Sequence, residues 1–210
     1  MYNYSECIAP IIEKIKHQGI ELAQMADKIV GQSLEKDDLY FLSAIDRAIR
    51  LLDGFLIMIE GKNLTCAGAL LRLQIDNCLR VYAPYVAADK DAVFTTIIYE
   101  DKTVRALKDD TGEKMTDAQL VKRLSEKHPK IKETYSQCSG FVHLSDVAFY
   151  QTVTDVNESS ISLSIGGDLP TRYDETLLSC AEAYLHFNKI LMELLQPVVE
   201  AKKKFDIQAD

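Results

Sequence analysis

A chain of 210 residues with 24 Lys and Arg against 32 Asp and Glu, 47% hydrophobic and 27% charged, has the composition of an ordinary water-soluble globular protein. Its length suffices to bury a core without disulfides or a structural metal, and nine glycines and five prolines exclude collagen-like and low-complexity chains. The net charge of −8 argues against a general nucleic-acid or anionic-membrane surface, while leaving room for a small basic pocket inside an acidic shell.

Taken in chain order, Ile8, Ile11, Ile12, Ile15, Leu22, Met25 and Ile29 recur at helical spacing and predict an amphipathic helix closed near Gly31. After Glu35-Lys36-Asp37-Asp38, a second stripe of Ile45, Ala48, Ile49, Leu52, Phe55, Leu56 and Ile59 predicts a helix stopped by Gly61. Asn63 caps a third, which runs through Tyr82 towards Pro84 and Val86. The short connection between the second and third helices implies an antiparallel helical hairpin.

Beyond Asp89, the positions of Phe94, Ile97, Ile98, Val104 and Leu107 predict one helix ending before the polar Asp109–Lys114 loop. Thr116 with Gln119 forms a capping box for the next helix, which stops at His128-Pro129; Pro129 begins another that ends around Gly140. Residues 151–165 change character: Ile161, Leu163 and Ile165 alternate with serines behind the Asn157-Glu158-Ser159 turn, and read as a small β-hairpin or an ordered loop. Gly166-Gly167-Asp168 breaks the chain. Thr171 with Asp174 then caps a last helix carried by Leu177, Leu178, Ala181, Leu185, Leu191, Leu195 and Val198, kinked or shortened at Pro197 and ending at Lys202-Lys203-Lys204, where the lysines offset the macrodipole. The fold class is all-α: a single helical bundle-like domain over residues 1–210, with about six or seven helices around the central hairpin.

The first residues lack a basic region followed by an apolar stretch, and no window approaches about eighteen consecutive apolar residues, which predicts a cytoplasmic protein without a membrane partner. The five cysteines are widely spaced with no Cys-x-x-Cys pair, and read as reduced thiols, mostly in the core. His17, His128, His143 and His186 are too dispersed to define a metal site. There is no phosphate-binding glycine loop, zinc helix or nucleophile elbow, so neither metal nor cofactor is expected.

One row of charges stands out. Between Lys62 and Asp89 the only charged residues are Arg72, Asp76 and Arg80, spaced i, i+4, i+8 on an otherwise apolar helix, so they fall within an arc of roughly eighty degrees. Two guanidinium groups around one carboxylate leave an excess positive charge, and an unpaired buried guanidinium is costly, so a further anion must sit opposite. Within the chain the candidates are carboxylates on facing helices, such as Asp46, Asp53 and Glu60, or backbone carbonyls at a helix end. From outside, a phosphate or carboxylate suits arginine's bidentate fork.

A second feature is the uncharged stretch Tyr135–Ser145, which joins hydroxyls, Cys138 and His143 around Gly140. Either Gly140 ends a helix and His143 hydrogen-bonds within the core, or the segment contributes to a site. Arg72, Asp76, Tyr135, Ser139, Gly140, Val142 and His143 together resemble a pattern in uncharacterised bacterial all-helical proteins distantly similar to HEPN domains, over about residues 63–145. The resemblance implies metal-independent RNA cleavage, in which an Arg-x4–6-His motif promotes attack of a ribose 2′-hydroxyl on the neighbouring phosphate. No arginine stands at that distance before His143, whereas Arg123 and His128 fit the spacing literally.

Two readings follow. The first is a cytoplasmic, non-enzymatic binding or interaction module, with an unknown protein partner or self-association, in which Arg72, Asp76 and Arg80 either organise the core or, with Tyr135 and Ser139, hold a small anionic ligand. The alternative is a HEPN-like endoribonuclease of the toxin or phage-defence type, active or degenerate. There His143 is the catalytic acid or base beside Arg72 or Arg80, and RNA is the partner under this alternative alone.

Overall fold

Helix α1 (Tyr4–Val30) buries Ile8, Ile12, Ile15, Leu22, Met25 and Ile29 on one face and ends at Gly31, whose φ of +50° is the left-handed conformation that favours glycine at a helix end. In the computed structural model the described residues are 4–100, 103–143, 146–167 and 169–209, and Leu144, Ser145 and Asp168 of the sequence reading lie outside them. Helix α2 (Lys36–Glu60) opens with the Glu35 N–H donating to the Asp38 carboxylate at 2.9 Å. Helix α3 (Leu64–Val86) follows after three residues, its first turn capped by the Asn63 side chain, which accepts from the Cys66 N–H at 3.1 Å.

α3 is the central strut. It packs on α2, on α4 (Lys90–Tyr99), α5 (Asp117–Leu124) and α6 (Lys130–Val142), and on the long α8 (Asp174–Ala209). A helix touched on so many sides must be apolar nearly all round, and α3 is, with Leu71, Ile75, Cys78, Leu79, Val81 and Ala83 buried. The polar side chains it does bury are paired across the interfaces. Gln74 donates to the Asn188 side chain at 2.9 Å and Asn77 to the Ala44 carbonyl at 2.9 Å, which fixes the register of α3 against α8 and α2. Phe55 of α2 stacks on Tyr184 of α8 with ring centroids 3.8 Å apart. Gly68 lets α6 approach: a Cβ there would overlap the Phe141 ring.

The all-helical class with one small hairpin is what the sequence predicts, and the structure adds detail. Eight α-helices are present among the described residues, not six or seven. The single helix expected up to Asp109 is two pieces: α4 ends at Tyr99, Thr103 is extended (φ −99°, ψ 141°), and Val104–Ala106 form a separate 3-10 turn that buries Val104. The extended residue interrupts the i→i−4 ladder. α6 runs through Gly140 and stops at extended His143. The seven-residue α7 (Asp146–Thr152) falls where no helix is predicted.

β1 (Val153–Val156) and β2 (Ile161–Leu163) pair antiparallel, Val153 opposite Leu163 and Val156 opposite Ile161, with a register shift between Val153 and Asp155. The hairpin is fastened by Arg172, which donates to the Tyr150 and Val153 carbonyls, and by the Tyr173 hydroxyl, which donates to the Tyr150 carbonyl at 2.6 Å. A 3-10 turn (Thr171–Tyr173) precedes α8. That last helix passes Pro197 and the lysines without ending and reaches Ala209. Lys202 is not a dipole-offsetting surface residue: it is buried, donating to the Ser33 carbonyl and to the Asp38 carboxylate at 2.5 Å, so it ties the last helix to the start of α2. Among the described residues no helix is long and apolar enough to cross a membrane.

Candidate functional site

The helical spacing that placed Arg72, Asp76 and Arg80 in one row brings them to the side of α3 that faces α4, α5 and α6. All three are partly buried, with side-chain exposures of 13%, 26% and 28%. Arg72 pairs with Asp76 and lays its guanidinium over the Tyr135 ring of α6, 3.6 Å from the centroid. Burial raises the Tyr135 phenol pKa, opposed by the Arg72 charge.

The anion opposite Arg80 is Asp117, in the first turn of α5, where an acidic residue also favours the helix dipole. None of Asp46, Asp53 and Glu60 fills that place: all three are exposed, and Asp46 pairs instead with Arg50 at 2.8 Å. Asp117 is shared. Arg105, on the 3-10 turn after α4, donates to its other carboxylate oxygen, and this bond raises the arginine's pKa. Tyr135 lies within electrostatic range of Arg72, Asp117, Asp76 and Arg105, and Arg105 within range of Asp117 and Asp76, so the row is one part of a larger cluster.

The cluster opens on a cleft of about 370 Å³ lined by Tyr40, Ser43, Ala44 and Arg47 of α2, Asp76, Asn77 and Arg80 of α3, Ile97 of α4, and Arg105. That volume is in the range of small-molecule sites. The Tyr40 hydroxyl donates to the Arg80 carbonyl at 2.6 Å, which fixes the wall between α2 and α3. Arg47 is exposed and has no hydrogen bond or ion pair among the described residues. Arg80 keeps one buried nitrogen, Nη1, without a hydrogen-bond partner. The cleft therefore has one unengaged arginine, Arg47, and arginine's planar fork is suited to phosphate or carboxylate oxygens.

The structure thus gathers Arg72, Asp76, Arg80 and Tyr135, and adds Arg47, Arg105 and Asp117. Ser139 and His143 stand apart. The Ser139 hydroxyl donates to the Tyr135 carbonyl of its own helix at 2.9 Å. His143 is exposed at the end of α6, eight residues beyond Tyr135 and so on the order of 12 Å further along the helix axis. Phe141 against Gly68 and Tyr135 against Arg72 show that α6 runs counter to α3, which puts His143 at the end of that interface remote from Arg80. Among the described residues His143 makes no side-chain hydrogen bond or ion pair. The other spaced pair is also engaged elsewhere: Arg123 donates to Asp110 at 2.6 Å and to Asp109 at 3.2 Å. His128 is partly buried, 4.0 Å from Glu193.

Cys138 lies buried near the cluster, and burial pushes its thiol up to about 11, well away from a nucleophile's range. His186, at the α1/α8 surface, has its pKa lowered by burial and by the neighbouring His128 and Lys130.

A second charged centre was legible in the sequence only as a polar loop. Asp109 is wholly buried and accepts from the Thr111 N–H at 3.0 Å, the Thr111 hydroxyl at 2.6 Å, the Glu113 N–H at 3.0 Å, Gln119 at 2.8 Å and Arg123 at 3.2 Å. Burial pushes this carboxyl up, but the hydrogen bonds outweigh it and hold it well below the usual carboxylate range. It is fully engaged in folding the loop against α5. Among the described residues no group of three or more His, Cys, Asp or Glu side chains is placed to hold a metal ion. Compared with protein-family profiles, curated proteins and solved structures, the chain matches none.

Proposed function

We propose that this protein is a non-enzymatic helical binding module whose cleft between α2, α3 and the 3-10 turn at Arg105 holds a small anion. The observation that carries the reading is the surplus of cations at one cavity of an acidic chain. Among the described residues Arg47, Arg80 and Arg105 line it with one carboxylate, Asp76, and beyond the lining Arg72 pairs with Asp76 and Asp117 with Arg80 and Arg105, four arginines to two carboxylates in all. The partly buried Arg72 and Arg80 balance Asp76 and Asp117, so the surplus stands on the exposed Arg47 and Arg105, charges that holding the fold together does not require. A bound anion supplies the missing negative charge. The thermal-shift test is direct, since a ligand that binds the native state stabilises it by mass action. Inorganic phosphate, nucleotides, short RNA and small carboxylates are titrated into the wild type and into Arg80→Met. A saturable rise in Tm that disappears in the variant supports the reading, and a flat response to the whole panel refutes it.

One observation favours a second reading, the HEPN-like endoribonuclease: Arg72, Asp76 and Tyr135, three of the residues on which that resemblance rests, stand in one cluster. It requires His143 to act with an arginine, and His143 lies exposed at the far end of the α3/α6 interface. Incubation with single-stranded RNA, with His143→Ala as control, separates the readings: cleavage that the substitution abolishes supports the nuclease, and intact RNA leaves the binding module.

A further inference from the structure

Resting on the anion-cleft reading, we infer that the ligand presents a dianionic phosphate group, either free or as the terminal group of a small monoester. The first argument is charge. Four arginines less two aspartates leave a surplus of two among the described residues, which a dianion neutralises and a monoanion does not.

The second argument is convergence. Arg47, Arg80 and Arg105 come from three separate elements, α2, α3 and the turn after α4, to line one cavity, an arrangement suited to oxygens clustered on a single centre. A phosphate offers three such oxygens, whereas a dicarboxylate spreads its charge over two distant groups. Of the three, Arg47 has no hydrogen bond or ion pair among the described residues, so its donors are ready before the ligand arrives. Arg105 and Arg80 are held in place by Asp117, which makes Asp117 a positioning residue.

The third argument is the remainder of the cavity. About 370 Å³ exceeds what a bare phosphate fills, and beside the polar Ser43, Asp76 and Asn77 its walls include Tyr40, Ala44 and Ile97, surfaces suited to an apolar or aromatic body. A phosphate monoester gains and loses its second charge near pH 6. Occupancy of the cleft therefore depends on pH through the ligand, falling as pH drops below that value.

Isothermal titration calorimetry of the full chain with inorganic phosphate, phenyl phosphate, dimethyl phosphate and succinate, at pH 8 and pH 5.5, tests the inference. At pH 8 the two phosphate dianions bind saturably, dimethyl phosphate and succinate bind at least tenfold more weakly, and the dianions weaken several-fold at pH 5.5. Arg47→Met, an exposed site whose loss leaves the fold intact, lowers phosphate affinity at least fivefold. Phenyl phosphate binding more tightly than inorganic phosphate assigns the ligand as a monoester, and equal affinities assign free phosphate. Dimethyl phosphate or succinate binding as tightly as the dianions overturns the inference while the anion cleft stands. Unchanged phosphate affinity in Arg47→Met overturns both the inference and this choice of cleft, and no heat from any of the four anions removes the anion-cleft reading as well.

Discussion

The carboxylate of Asp117 accepts from the guanidinium of Arg80, 37 residues earlier in the chain, and in the same position accepts from Arg105. One acidic side chain thereby joins α5 to α3 and to the turn after α4, the three supports on one side of the cleft. Asp117→Asn keeps the shape of the side chain and removes its charge. We predict a loss of about 2 kcal/mol in stability, the scale of a hydrogen bond to a charged group. Urea denaturation measures it. Because Asp117 also holds Arg80 and Arg105 in place, inorganic phosphate stabilises the variant less than the wild type.

Arg72 acts through its plane as well as its charge, pairing with Asp76 while stacking on Tyr135. Arg72→Lys keeps the charge and loses the stacked face and the fork, so it costs about 1 kcal/mol. Tyr135→Leu removes the same contact from the other side. The double variant is predicted to be less destabilised than the sum of the two, as a double-mutant cycle read by denaturation will show.

The buried Asp109 gives the protein a defined acid sensitivity. Its carboxyl is depressed in the folded state, so the unfolded chain binds the proton more readily. The contribution of Asp109 is present above the ordinary value of 3.8 and is lost as pH falls below it towards the folded value. Asp109→Asn leaves Arg123 short of an acceptor and is predicted to cost about 3 kcal/mol at pH 7. Tm measured from pH 7 to pH 3 falls more steeply in the wild type than in the variant.

Gly68 marks the closest approach of α3 to α6, where a Cβ would overlap the Phe141 ring. Gly68→Ala is predicted to destabilise by about 2 kcal/mol through overpacking. Adding Phe141→Leu to that variant returns part of the loss, since the smaller side chain vacates the overlap, and thermal denaturation of the pair checks it.

Thiol chemistry divides the cysteines. Cys7 and Cys66 are exposed, while Cys78, Cys138 and Cys180 are buried with thiol pKa values raised by burial. An aromatic disulfide reagent at pH 7.5 therefore modifies Cys7 and Cys66 rapidly in the native protein, and the other three only on unfolding.

What was legible in the sequence is what depends on neighbours along the chain. Asn63 and Thr116 cap helices because the groups they satisfy are three residues away, and the Arg72–Asp76–Arg80 row follows from helical spacing alone. The break between Tyr99 and Val104 was hidden because the apolar spacing continues across it. Tertiary pairing was out of reach for the same reason. Nothing along the chain singles out Asp117, Arg47 or Arg105, and Lys202 reads as one of three terminal lysines; only the folded chain shows which carboxylate each meets and which meets none.

The central claim is that Arg47, Arg80 and Arg105 together grip an anion, and nitrogen-15 NMR of the arginine Nε–H groups during a titration with inorganic phosphate at pH 8 reads those contacts one residue at a time. The account predicts saturable shifts of all three signals with a common dissociation constant, while the exposed, Asp46-paired Arg50 stays unmoved. Signals of Arg47, Arg80 and Arg105 that remain fixed, or move no more than that of Arg50, would contradict it.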